Sequence, residues 1–348
     1  MKKSLILLCL IYSFCGCKKQ GSEFSPQPEA QTADAKAATQ RTLAVGAASI
    51  AGVNWADGRN NFQDSWVIPS GLTASDSYST VQAKANGILT GFKNNISGVN
   101  TVRLPINPSS VSSTWWSAYT GAIDKALSNG FKVILGCWDS SSHNDGKIDD
   151  LTAFWAMWQT VVNKYGSNSN VYFEIFNEPY GYSLTDLTSI YAQWLSKYSS
   201  VPKGRILLSG TGYSENVTGV GADSRFTSCL LSLHNYAYWA TRSESAWETD
   251  WKSRYGSYGS RTVVTEFGAT MNSGKDYQNG AQSDNEIAYI VASSNVFRNN
   301  SIASVYWPGL RDGDSYSLET RGGSGNNITL STVNASGVFR LRYGWGLN

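Results

Sequence analysis

The sequence predicts an α/β fold, a (β/α)8 TIM barrel in a single domain. Three observations carry the prediction. From residue 49 onward, eight short apolar runs alternate with amphipathic stretches. Polar residues close most of those runs at the same, carboxyl end, where a parallel barrel builds its sites. The length of 348 residues suits one large barrel, and no segment recurs at a period of about 20 to 50 residues, which sets solenoids and propellers aside.

The predicted strands are rich in Val, Ile, Leu and Phe, as strands covered on both faces are. They read SIAGVNW (49–55), TVRLPI (101–106), FKVILGCW (131–138), VYFEIFN (171–177), RILLSG (205–210), CLLSLHNY (229–236), RTVVTEFG (261–268) and IASVYW (302–307). Helical periodicity fills 81–96, 115–128, 149–165, 185–198, 245–258 and 284–298, with a closing helix over 334–343. The segment between the fifth and sixth strands is only weakly helical. Pro179 has no amide hydrogen for a ladder, so the fourth strand stops before it and sets Asn177 and Glu178 at the sheet edge. Trp155 and Trp158, three apart on a helix, read as core.

Ahead of the barrel (43–348) the sequence predicts two further segments. Residues 1–16 pair Lys2 and Lys3 with an apolar run too short to span a bilayer, the form of a signal peptide. Gly16 and Cys17 then resemble a bacterial lipobox, with Cys17 the lipidated residue. Residues 17–42 are rich in Gln, Ser, Ala, Pro and Thr and read as a flexible tether. The expected location is the bacterial envelope, lipid-anchored at the outer membrane or cell surface, with no contact with the bilayer beyond the anchor.

Composition narrows the chemistry. Removing Lys2 and Lys3 leaves 26 basic against 26 acidic residues, a balance that offers no footprint for nucleic acid. Two histidines and the absence of CxxC, HExxH and GxxxxGK[ST] patterns argue against a metal or cofactor. Cys137 and Cys229 fall on different predicted strands and read as buried thiols. Aromatic residues are abundant, with 13 Trp and 19 Tyr. Flat rings in a cleft bind the apolar faces of sugars, so carbohydrate is the expected partner of a monomeric chain.

Two glutamates at one barrel mouth, Glu178 and Glu266, form the apparatus of glycoside hydrolysis. Arg103 favours an ionised Glu266, and an apolar setting favours a protonated Glu178. Glu174, on the same side of its strand as Glu178 but one layer deeper, reads as a paired structural carboxylate.

FNEP after the fourth strand, TEFG after the seventh, TVRLPI on the second, LHNY on the sixth and VYW on the eighth together resemble the cellulase-type enzymes of glycoside hydrolase family five, in clan A. The resemblance covers residues 45–348. It implies Glu178 as acid/base and Glu266 as nucleophile of a retaining, cellulase-, glucanase- or mannanase-like enzyme acting on a polysaccharide or oligosaccharide. It further implies Asn177 at the sugar 2-hydroxyl, Arg103 beneath the nucleophile, His234 and Tyr236 as the strand-six pair, and Trp307 as sugar platform. One position departs. Where the family carries a histidine after strand three, this chain has GCWDSSSHND, with Trp138 in that place among the substrate-binding residues and His143 five residues on.

The alternatives are an exo-acting furanosidase on the same scaffold and a non-catalytic glycan-binding surface lipoprotein. Long connections after strands one and eight are expected to bring Arg59, Asp64, Trp66, Arg311, Asp312 and Asp314 to the mouth and narrow it.

Overall fold

A computed structural model describes residues 50–139 and 142–348. The predicted signal peptide, Cys17 and the tether of 17–42 lie outside the described residues. Eight parallel strands close into a barrel in chain order: β1 (Ala51–Trp55), β2 (Thr101–Ile106), β3 (Lys132–Cys137), β4 (Val171–Glu174), β5 (Ile206–Ser209), β6 (Leu230–His234), β7 (Thr262–Glu266) and β8 (Ala303–Leu310). Closure comes from β1 pairing with β8, Ala51 opposite Ser304 and Val53 opposite Tyr306.

Seven longer helices wrap the barrel: α1 (Tyr78–Asn95), α2 (Trp115–Ser128), α3 (Leu151–Tyr165), α4 (Leu184–Lys197), α5 (Glu244–Tyr255), α6 (Asn285–Asn300) and α7 (Ala335–Gly344). Most begin at a side-chain cap that satisfies an amide the helix itself cannot. Ser77, Asp150, Ser183, Ser243, Asp284 and Asn334 each accept from an amide of the first turn. The weak segment between β5 and β6 contains only short turns, Thr211–Ser214, Thr218–Ala222 and Ser224–Phe226.

The barrel interior is layered. At the amino end Ile50, Ile134, Tyr172, Leu207, Leu230, Val263, Ala303 and Val305 form an apolar plug, while the larger apolar core lies between the strands and the helices. Above the plug sits a buried polar layer of Asn54, Arg103, Glu174, Ser209, Ser232 and Thr265. Gly136 belongs to this layer by necessity. A Cβ there would stand 2.8 Å from both a Glu174 carboxylate oxygen and the Trp138 ring.

Three expectations need correction. The β4 ladder stops at Glu174, three residues early: beyond it Ile175 N donates to Leu207 O and Asn177 N to Cys137 O, so the chain swings over the mouth while staying tied to both neighbours. Arg103, expected near the carboxyl end of the second strand, is the third of six residues in β2, opposite Ile134, and reaches the mouth only through its long side chain. The connection after the eighth strand is not an open loop. β8 runs on to Leu310, and the chain then builds an antiparallel hairpin of β9 (Glu319–Ser324) and β10 (Asn327–Thr332). The hairpin lies on α1, where two glycines admit it: a Cβ at Gly87 would stand 2.2 Å from Ile328 O, and one at Gly91 2.6 Å from the Leu330 side chain.

Candidate active site

Arg103 organises the site from below. Its Nη1 donates to Glu266 Oε1 at 2.7 Å and to Asn54 Oδ1 at 2.9 Å, its Nη2 to Asn177 Oδ1 at 2.6 Å, and its Nε to Glu174. Glu174 also accepts from Ser232 Oγ at 2.6 Å, and the Trp138 ring lies 4.2 Å from the guanidinium carbon. Arginine, Glu174 and Glu266 are all buried, so each charge depends on the others. Glu174 therefore has the structural role expected of it.

Glu266 ends β7 opposite His234, the last residue of β6. The Tyr236 hydroxyl donates to Glu266 Oε2 at 2.9 Å, so the carboxylate accepts from Arg103 on one oxygen and from Tyr236 on the other. Across the mouth, Glu178 Oε1 lies 3.0 Å from His234 Nδ1, and that nitrogen is 3.6 Å from Glu266 Oε2. One oxygen from each glutamate and the histidine nitrogen all fall within 4.8 Å of one another. Among the described residues this is the grouping of donors tight enough to hold a metal ion, and two carboxylates in unlike surroundings suit proton transfer equally well.

The surroundings separate the two acids. Burial pushes Glu178 well above the usual carboxylate range, and the charge of Glu266 pushes it further. Burial also raises Glu266, but Arg103, by charge and hydrogen bond, and the Tyr236 hydroxyl pull it back. The more weakly acidic group is Glu178. Burial and the nearby Arg103 hold His234 well below the ordinary imidazole range, so it is neutral.

A cleft of about 310 Å³ opens over these groups, lined by Asn177, Glu178, Tyr236, Glu266, Trp138 and Trp307, with Asn60, Phe62, Tyr238 and Tyr316 at its rim. Trp138 and Trp307 stack with centroids 6.1 Å apart and planes 27° apart. The structure thus brings together all eight predicted residues of the mouth: Arg103, Trp138, Asn177, Glu178, His234, Tyr236, Glu266 and Trp307. His143 is not among them; it stands exposed and pairs with Asp149 at 2.7 Å.

The loop residues mostly miss the cleft. Of the six expected there, Asp314 alone lines it, while Arg59 pairs with Asp57, Arg311 with Asp314 and Asp312 with Arg321. Trp66 packs against the core, and the Asp64 carboxylate accepts from Ser142. Short-range pairs satisfy Arg59, Arg311 and Asp312 within their own connections, and Asp64 is held from the loop after β3. Asn54 and Tyr316 are additions that the predicted set lacks. Asn54 carries the same signal as the others, a polar residue near the end of an apolar run; Tyr316 lies in a connection with no periodicity to place it.

The Endoglucanase Z of Dickeya dadantii is 27% identical over 189 residues, which cover 53% of this chain and 40% of that protein, so the chain spans well under half of this curated relative. A structure of XacCel5A in complex with cellopentaose superposes with a TM-score of 0.58 at 16% identity, covering 85% of this chain and 99% of the other. The catalytic domain of Thermobifida fusca endoglucanase Cel5A gives 0.53 at 16%, covering 84% and 91%. At such identities the structures share the barrel. The family model "Cellulase (glycosyl hydrolase family 5)" matches residues 70–309, a span that contains Arg103, both glutamates, the His234–Tyr236 pair and Trp307, and the chain belongs to that family.

Proposed function

We propose that the protein is a retaining glycosidase that cleaves a cellulose-, glucan- or mannan-type chain or its fragments, with Glu266 as nucleophile and Glu178 as acid and then base. The observation that carries this is the pair of unlike carboxyl groups with oxygens within 4.8 Å. Retaining enzymes hold their carboxyl groups about 5 to 5.5 Å apart, whereas inverting ones leave about 6.5 to 9.5 Å for a water.

A sugar ring seated on Trp307 and Trp138 presents its anomeric carbon to Glu266. Arg103 occupies Oδ1 of Asn177, which leaves the amide nitrogen to donate to a sugar hydroxyl. Glu266 attacks the carbon as Glu178 gives its proton to the departing oxygen, and a glycosyl ester forms. The ester removes the negative charge that helped Glu178 keep its proton. Glu178 then takes a proton from water as that water attacks the same carbon, and Glu266 leaves as carboxylate.

A second reading, an exo-acting furanosidase, draws on Trp138, which puts a flat ring where the family offers a histidine and so reshapes the seat of the sugar. A panel of polysaccharides and aryl glycosides separates the two by which glycone is released. The mechanism has its own test. Glu266→Ala is expected to abolish turnover. Glu178→Ala is expected to lose about 10² to 10⁴-fold on poor leaving groups, to retain attack on activated aryl glycosides, and to recover turnover with azide, which needs no base. Proton NMR of the first product should show retention; inversion at the anomeric carbon would remove Glu266 as nucleophile.

A further inference from the structure

Asn60 and Phe62, from the connection after β1, and Asp314, Ser315 and Tyr316, from the connection after β8, line the cleft, and the reaction as described uses none of them. None falls within residues 70–309, the span that matches the family. The two connections are bonded to each other. Arg311 Nε donates to Asp57 O at 3.0 Å, Asp312 N donates to Ser70 Oγ at 2.8 Å, and a Cβ at Gly58 would stand 3.3 Å from that of Asp312. The first connection is also pinned just beyond β2, where Asn107 Nδ2 donates to Gln63 O and Ser65 O, each at 2.9 Å. Gly58, Arg59 and Asp312, from the same two stretches, face a second hollow of about 770 Å³ that shares no lining residue with the cleft. The loops therefore stand as a wall between two spaces.

The two glutamates say which end of the cleft is walled. β1 adjoins β8, and β8 is four strands from β4 whichever way the closed barrel is counted. Glu178, the acid, stands beyond β4, so the departing portion of the substrate leaves on that side. Whatever chain is attached to the sugar bonded to Glu266 must extend the other way, toward β8 and β1. There it meets the wall.

Asp314 gives the wall its chemistry. Its Oδ2 accepts from Arg311 Nη1 and its Oδ1 from Tyr316 N, both at 2.8 Å, so the carboxylate is fixed in place. A carboxylate has about four lone-pair sites, and those left over call for hydroxyl donors. A terminal sugar offers a hydroxyl where an interior sugar has a linkage oxygen, which can only accept and would leave the carboxylate without a partner. The cleft volume of about 310 Å³, at the small end of the range of about 300 to 1,000 Å³ for ligand sites, also suits a short unit. We infer that the two loops close the cleft beyond the sugar bonded to Glu266, so that the enzyme works from the non-reducing ends of its substrate and releases short units, with Asp314 reading the hydroxyls of the terminal sugar. This rests on the assignment of Glu178 as acid and Glu266 as nucleophile.

The test uses two series of aryl glycosides, of β-linked glucose and of β-linked mannose, whose sugar portion grows in length, and reads release of the aryl group. For the natural chain kcat/KM should be highest with roughly one or two sugar units and fall about tenfold or more once a third is present, because the extra unit has to enter the wall. Asp314→Ala should lose about tenfold on the best short glycoside, the scale of a hydrogen bond to a charged group, and so narrow the gap between short and long. A kcat/KM that holds or rises past the third unit would overturn the wall. An Asp314→Ala variant with the natural length profile would overturn the reading of the chain end by this carboxylate. The other failures are separable from these. An enzyme that cleaves neither series sinks the proposed substrate class and this inference with it, whereas inversion at the anomeric carbon removes the assignment of the glutamates, from which the direction of the wall was taken.

Discussion

Tyr236 shows how one side chain sets the working range of the site. Its hydroxyl lowers the proton affinity of a Glu266 that burial has raised. With Glu178 protonated and Glu266 ionised as the working form, kcat/KM should be bell-shaped in pH, the acid limb following Glu266 and the alkaline limb Glu178, both as apparent values of the pair. Tyr236→Phe removes a lowering interaction, so the acid limb should move to higher pH. An acid limb that stays in place would show that the hydroxyl does not act on Glu266. At this scale the sequence is easily read where a charged or aromatic residue ends an apolar run, because a parallel barrel gives such residues one common destination. Asn54 obeys that rule as well. Tyr238 and Tyr316 do not, since their positions depend on how the loops after β6 and β8 meet, and no local pattern encodes that meeting.

Among the elements, the β9–β10 hairpin was the least legible. ETRGGSGNN reads as a loop because glycine weakens strand propensity, and the partner that stabilises the hairpin, the glycine face of α1, is more than two hundred residues away. The eight barrel strands, by contrast, are announced by their own apolar runs. The hairpin begins at Glu319, which is buried and accepts from Asn95 Nδ2 at 2.7 Å and Thr332 Oγ1 at 3.1 Å. Burial raises this carboxyl from 4.5 to about 7. The folded state therefore holds the proton more tightly than the unfolded chain. Its stabilisation is complete below the ordinary carboxyl pKa and is lost as pH rises through about 7, an effect of up to about 3 kcal/mol. The melting temperature should fall between about pH 5 and about pH 8, and Glu319→Gln should shrink that fall, leaving the part due to Glu178 and Glu266. An unchanged fall in the variant would mean that Glu319 does not titrate in this window.

For the molecule as a whole, we propose that the barrel is tethered to the bacterial envelope through a lipid on Cys17, with residues 1–16 as signal peptide and 17–42 as linker. Such a tether would keep the enzyme beside the cell that takes up its products. Cys17→Ser should move the protein from the membrane fraction to the soluble one with catalytic constants unchanged; unaltered fractionation would end the proposal. The barrel itself has a further property. Arg103 gathers Asn54 from β1, Glu174 from β4, Glu266 from β7 and Asn177 beyond β4 through one guanidinium. The bonds that draw distant strands together are the same bonds that hold the Glu266 carboxylate at the mouth. Opening the barrel should therefore disarm the site in the same step, so that in denaturant the natural chain loses turnover no later than it loses its fold.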